Sequence, residues 1–188
     1  MEKSSHDLHR RSIRLLRFDY AQPNAYFITI CTAGRRCLFG SIVGKEMHLN
    51  AFGKIVEEEW LRTIQIRREI VLDEYVVMPN HLHGIVVIQH DSGAEGDRRS
   101  PLRNSGPRRR SLGSFVGGFK ASTTRRIKEI QRMSCSIWQR NYYEHIVRSE
   151  KSLDAIRAYI IGNPANWRTD RENPGGERQS AASDPWQV

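Results

Sequence analysis

The stretch Val71-Leu72-Asp73-Glu74-Tyr75-Val76-Val77-Met78-Pro79-Asn80-His81-Leu82-His83-Gly84-Ile85-Val86-Val87-Ile88 decides the fold. Residues 71–78 and 83–88 are rich in β-branched and apolar side chains and read as strands. The link between them, Pro79-Asn80-His81-Leu82, is short enough that the two strands must be antiparallel neighbours. His81 and His83 alternate on a chain that is becoming a strand. They therefore share a face, with Cα atoms roughly 6.5 Å apart, a span that two imidazoles can close around one metal ion. Taken alone, such a pair is either half of a metal site or a structural coincidence.

Working outward, Ala25-Tyr26-Phe27-Ile28-Thr29-Ile30-Cys31-Thr32 reads as a first core strand, and a hairpin is expected around Gly44. From Ala51 to about Arg68, the residues Phe52, Ile55, Val56, Trp60 and Ile64 recur at helical spacing behind Asn50, a suitable N-cap. Leu112, Phe115, Val116, Phe119, Ile127 and Ile130 mark a second amphipathic helix with Lys120, Arg125, Arg126 and Lys128 on its other face. A short strand is expected within Trp138–Val147. Ser152 is the candidate cap of a last helix running through Ile156, Tyr159 and Ile160 to Gly162-Asn163-Pro164. The resulting order (strand, helix, strand, strand, helix, strand, then an extra helix) is a ferredoxin-like α+β plan. That plan serves enzymes and nucleic-acid-binding modules alike.

The rest of the chain frames this unit. Residues 1–22 form a basic arm, residues 23–167 the folded domain, and residues 91–110 an insert of Gly, Ser, Pro and Arg without hydrophobic periodicity; from Arg168 a disordered tail is expected. With 188 residues, the chain has room for one medium-sized domain.

The formal charge of +9 comes mostly from arginine, whose planar fork suits phosphate oxygens, so a polyanionic partner is expected. Arg35, Arg36, Lys120, Arg125, Arg126, Arg140 and Arg148 are the candidate phosphate contacts. Three cysteines without a CxxC pair argue against a disulfide framework and against a cysteine zinc site. No apolar run is long enough to span a membrane, and no hydrophobic signal segment follows the polar N-terminus, so a cytoplasmic location is expected.

On the last helix, Tyr159 and Asn163 are one turn apart and share a face. They can bring a phenol and an amide oxygen to the histidines, or they can be an ordinary helix residue and an ordinary helix end. Tyr142 and Tyr143 are rival nucleophiles whose alternative role is aromatic packing. His145 can assist a metal ion or DNA. His48 and His90 read as surface residues, and His6 and His9 belong to the arm.

Four segments in order, Tyr26-Phe27-Ile28-Thr29, Met78-Pro79-Asn80-His81-Leu82-His83, Trp138-Gln139-Arg140-Asn141-Tyr142-Tyr143-Glu144-His145 and Tyr159-Ile160-Ile161-Gly162-Asn163-Pro164, together resemble the REP-associated tyrosine transposases of the HUH single-tyrosine superfamily. The resemblance runs from about Tyr26 to Trp167. It implies a nucleoid-associated DNA endonuclease and strand transferase in which His81, His83 and Asn163 hold Mg²⁺ or Mn²⁺ and Tyr159 is the nucleophile. Many relatives carry Gln where Asn163 stands. The implied substrate is a single-stranded hairpin of the REP type, cut to a 5′-phosphotyrosine and a free 3′-hydroxyl by a monomer or a homodimer. A noncatalytic nucleic-acid-binding module, with Tyr26 and Phe27 stacking on bases, is the alternative from another class. A hydrolase that activates water is the second alternative.

Overall fold

Strand β1 (Asn24–Cys31) lies inside the sheet, bonded on one side to β5 (His81–Ile88) and on the other to β6 (Tyr143–Val147), with β4 (Ile70–Val77) completing the order β4-β5-β1-β6. Every pairing is antiparallel. With helices α1 (Ala51–Ile66) and α2 (Leu112–Ile130) as its crossovers, this is the ferredoxin-like α+β plan that the pattern predicts. A separate hairpin, β2 (Gly40–Val43) with β3 (Glu46–Leu49), turns at Gly44, and a last helix α3 (Glu150–Gly162) follows the sheet. These observations come from a computed structural model that describes residues 20–89, 110–131 and 135–176. Most of the expected N-terminal arm, nearly all of the 91–110 insert, and His6, His9 and His90 lie outside the described residues.

Strand alternation divides the core in two. Tyr26, Ile28 and Ile30 of β1, with Leu82, Val86 and Ile88 of β5, face α1 and α2 and pack with Trp60, Phe115 and Phe119. Phe27 of β1 and Ile85 of β5 face the opposite way and meet Ile156 and Ile160 of α3. The two crossover helices therefore share one face of the sheet, and α3 covers the other. Gly84 is needed where Trp60 presses on β5, because a Cβ there would run into the Trp60 ring.

Several expectations change in detail. The turn is Met78-Pro79-Asn80, so His81 already belongs to β5 and pairs with Cys31. The last helix is capped by Ser149, whose hydroxyl accepts from the Ser152 amide; Ser152 lies inside the first turn, one helical step later than a cap must stand. The first helix ends at Ile66, and Ile64 and Ile130, expected on buried faces, are exposed.

The tail expected from Arg168 is ordered at its start. A 3-10 helix covers Pro164–Thr169, and Asp170, Glu172 and Asn173 stay hydrogen-bonded to the folded domain. Through Glu172, whose carbonyl accepts from Asn80, this polar segment lies as a strap against the end of the sheet.

Candidate active site

His81 and His83 start β5 with side chains on the α3 face, and both are buried (0% and 2% exposed), their rings 4.4 Å apart. Hydrogen bonding fixes the tautomer of His81 and the ring position of His83. Asn80 donates its amide nitrogen to the carbonyls of Arg35 (3.1 Å) and Glu172 (2.7 Å). That orientation turns Oδ1 of Asn80 toward Nδ1 of His81 at 2.8 Å. A carboxamide oxygen only accepts, so Nδ1 carries the proton and Nε2 of His81 is left with a lone pair. This Nε2 is buried and has no hydrogen-bond partner among the described residues.

His83 is held from β1. Its Nδ1 lies 2.8 Å from the Thr29 hydroxyl, and its Nε2 lies 3.3 Å from the Tyr159 hydroxyl. Both partners are hydroxyls, which can donate or accept, so the two contacts hold the ring in place whichever nitrogen carries the proton. Burial pushes the pKa of both imidazoles down, and for His83 the neighbouring His81 and Arg171 push the same way. Both rings are therefore neutral and present lone pairs, the form in which histidine binds metal.

Asn163, at the C-terminal end of α3, is 2% exposed. Its Nδ2 donates to Oδ2 of Asp170 at 2.8 Å, an acceptor-only carboxylate, so the amide orientation is settled and Oδ1 points away. Oδ1 of Asn163, like Nε2 of His81, is a buried acceptor without a donor among the described residues. Asn163 is near enough to His81 to favour its protonated form. Two buried acceptors left without donors cost free energy, which a bound cation would offset. His81, His83 and Asp170 each also offer a ligand atom within 4.8 Å of the others. Two imidazole nitrogens beside carboxylate and amide oxygens are a donor set suited to a divalent ion.

Tyr159 reaches this centre across α3, with its ring edge-on to Phe27 (6.1 Å) and tilted against His83 (5.2 Å). The rival tyrosines are placed otherwise: Tyr143 packs edge-on against Phe27, and the Tyr142 ring lies under the Lys120 ammonium. His145 sits on β6 opposite Phe27, and His48 is exposed on β3.

Of the basic candidates, three are engaged inside the fold. Arg36 donates to the carbonyls of Ala33 and Ser136 and to Cys135. Lys120 reaches the carbonyls of Gln139, Arg140 and Asn141, and burial lowers its pKa to about 8. Arg126 pairs with Glu58 and Glu59. Arg35 pairs with Glu172 at the rim of the histidine centre, whereas Arg125, Arg140 and Arg148 are exposed.

The sequence reading missed Thr29, the locking role of Asn80, Trp167 (6.0 Å from the His81 ring) and Asp170. Thr29 was legible in part, since β1 alternation sets it on the Phe27 face. No local signal identifies Asp170.

No protein-family model matches the chain. An uncharacterized protein of Haemophilus influenzae is 40% identical over 168 residues, spanning 87% of this chain and 92% of that protein. Among solved structures, a REP-associated tyrosine transposase bound to a REP hairpin superposes with a TM-score of 0.56 at 19% identity, covering 82% of this chain and 74% of that one. The chain belongs to one family with the Haemophilus influenzae protein, and its fold is that of a REP-associated tyrosine transposase.

Proposed function

We propose that this protein is a metal-dependent endonuclease and transesterase for single-stranded DNA, with Tyr159 as the nucleophile. The observation that carries the reading is the pair of buried acceptors without donors among the described residues, Nε2 of His81 and Oδ1 of Asn163, beside His83, whose Nε2 lies 3.3 Å from the Tyr159 hydroxyl. His81, His83 and Asn163, with Asp170 beside them, would hold the cation. A bound Mg²⁺ or Mn²⁺ supplies positive charge that orients a phosphate oxygen and stabilises the charge developing at phosphorus.

The chain's own residues do the rest. Asn80 holds His81 in the required tautomer, Thr29 holds the His83 ring, and α3 carries the phenol beside it. The Tyr159 oxygen forms the bond to phosphorus as the bond to the 3′ oxygen breaks, and the proton lost by the phenol is matched by the one gained at the 3′ oxygen. A phenol with a pKa near 10 is a better leaving group than an alkyl alcohol, so a 3′-hydroxyl can later displace it and rejoin DNA without ATP. Arg35, Arg125, Arg140 and Arg148 are the proposed phosphate contacts, because their guanidinium groups reach the surface. The proposed substrate is a REP-type hairpin, the class of DNA bound by the transposase of like fold.

The test is incubation of purified protein with labelled hairpin oligonucleotides and Mn²⁺ or Mg²⁺, followed by a denaturing protein gel beside Tyr159→Phe and His81→Ala. The expected result is label on the wild-type protein and on neither variant. An adduct that survives Tyr159→Phe moves the nucleophile to Tyr142 or Tyr143. Cleavage without adduct points to activated water, and binding without cleavage to a noncatalytic module.

A further inference from the structure

The helix that carries Tyr159 has a thin apolar footing. Of its thirteen residues only Ile156 and Ile160 are fully buried. Apolar contact is non-directional, so two such residues keep α3 on the sheet while giving little resistance to rolling about its axis. On the β4 side a directional contact comes from Arg157, which donates from Nε to Oδ1 of Asp73 (3.1 Å) and from its second terminal nitrogen to Oδ2 (2.6 Å). The remaining guanidinium nitrogen is held by Asp154 on the same helix at 3.0 Å. All three nitrogens are thus committed, in the two-pronged geometry that fixes orientation as well as distance.

Asp73 owes its place to an irregularity in β4. Leu72 pairs with Val86 and Tyr75 with Gly84, so Asp73 and Glu74 together stand opposite the single residue Ile85. Such bulges re-aim side chains without ending the strand. Here the bulge keeps Asp73 on the α3 side and returns Tyr75 to the Trp60 side. On α3, Arg157 and Tyr159 are two residues apart, about 200° around the axis and roughly 3 Å along it. They flank the buried ridge, one toward β4 and the other toward His83, so a roll released at Arg157 shifts the phenol.

We infer that the Asp73–Arg157 pair is a positioning device that sets the rotation of α3 and thereby the place of the Tyr159 hydroxyl beside His83. The inference rests on the reading of Tyr159 as nucleophile. Misplacing a reacting group by about 1 Å can cost on the order of 100-fold in rate, whereas hairpin binding depends on other surfaces.

The test uses the full chain and measures single-turnover adduct formation with a labelled hairpin and Mn²⁺, hairpin affinity, and the ¹⁹F spectrum after incorporation of 3-fluorotyrosine, with the Tyr159 signal assigned through Tyr159→Phe. The expected result is that Asp73→Ala and Arg157→Ala each lower the adduct rate roughly 10- to 100-fold while hairpin affinity changes less than about threefold. The double variant should lose no more than the worse single one, and the Tyr159 signal should move alike in all three. Arg157→Lys, which keeps the charge and loses the fork, serves where a truncation does not fold, with the same expectation at smaller size. Wild-type adduct rates in the single variants, or losses that multiply in the double variant, overturn the inference. If the wild type forms no adduct, the reading of Tyr159 fails on its own, and an unmoved ¹⁹F signal separately overturns the positioning role.

Discussion

Oδ1 of Asn80 accepts from Nδ1 of His81 at 2.8 Å, and the Asn80 amide is itself pinned by carbonyls of two other segments, those of Arg35 and Glu172. A turn residue thereby decides which nitrogen of its neighbour is free, and the free nitrogen is the buried one facing Asn163. Partners of this kind raise ligand basicity and hold ring orientation. Asn80→Ala is expected to weaken Mn²⁺ binding by roughly 10- to 100-fold in a calorimetric titration. An affinity within threefold of wild type would remove Asn80 from the site.

Asp170 contributes from the strap that follows α3. Asp170→Ala both removes a carboxylate from the cluster and frees the Asn163 amide to turn. The expected outcome is weaker Mn²⁺ binding together with a lower rate of adduct formation. Metal affinity equal to wild type would leave His81, His83 and Asn163 as the whole set.

Chelation provides a test that needs no mutation. EDTA is expected to abolish adduct formation on a labelled hairpin, and excess Mn²⁺ to restore it. Adduct formation that persists in EDTA would sink the metal-dependent reading while leaving Tyr159 as nucleophile.

Gly84 is the point at which β5 accepts the Trp60 ring. Gly84→Ala is expected to lower stability by about 1–3 kcal/mol, read as a shift in the urea midpoint, because the added Cβ would overlap the Trp60 ring. Since Gly84 adjoins His83, metal affinity should be measured alongside. An unchanged midpoint would mean that the helix yields.

Acid should loosen α3. The Arg157 guanidinium beside Asp73 holds that carboxyl below its usual 3.8. A depressed folded-state pKa gives stability that is fully present above 3.8 and lost as pH falls through the lower folded value. Asp73→Asn should therefore flatten the acid limb of the stability curve, and an unaltered limb would show that the pair contributes nothing there.

Much of this architecture was legible locally. Alternation in Tyr26-Phe27-Ile28-Thr29 and His81-Leu82-His83 assigned the faces of the two central strands, and Asn50 announced the start of α1. The cap of α3 expected at Ser152 stands three residues too late, because Ser149 suits the role equally in sequence and only backbone geometry identifies it. The basic residues are hard to sort for a related reason. Arginine and lysine look alike in a sequence whether they face solvent or are paired, as Arg126 is with Glu59, sixty-seven positions away.

The sequence by itself determined the order of elements, the shared face of His81 and His83, and the one-turn spacing of Tyr159 and Asn163, because these follow from the fixed periods of strand and helix within contiguous segments. Tertiary structure alone decided that Asp170 joins the histidines, that Asn80 sets the tautomer of His81 while Thr29 holds the His83 ring, and that Asp73 grips Arg157. Those choices depend on where the chain returns after dozens of residues and on which polar groups burial leaves without water, and neither quantity has a period that a linear reading can detect.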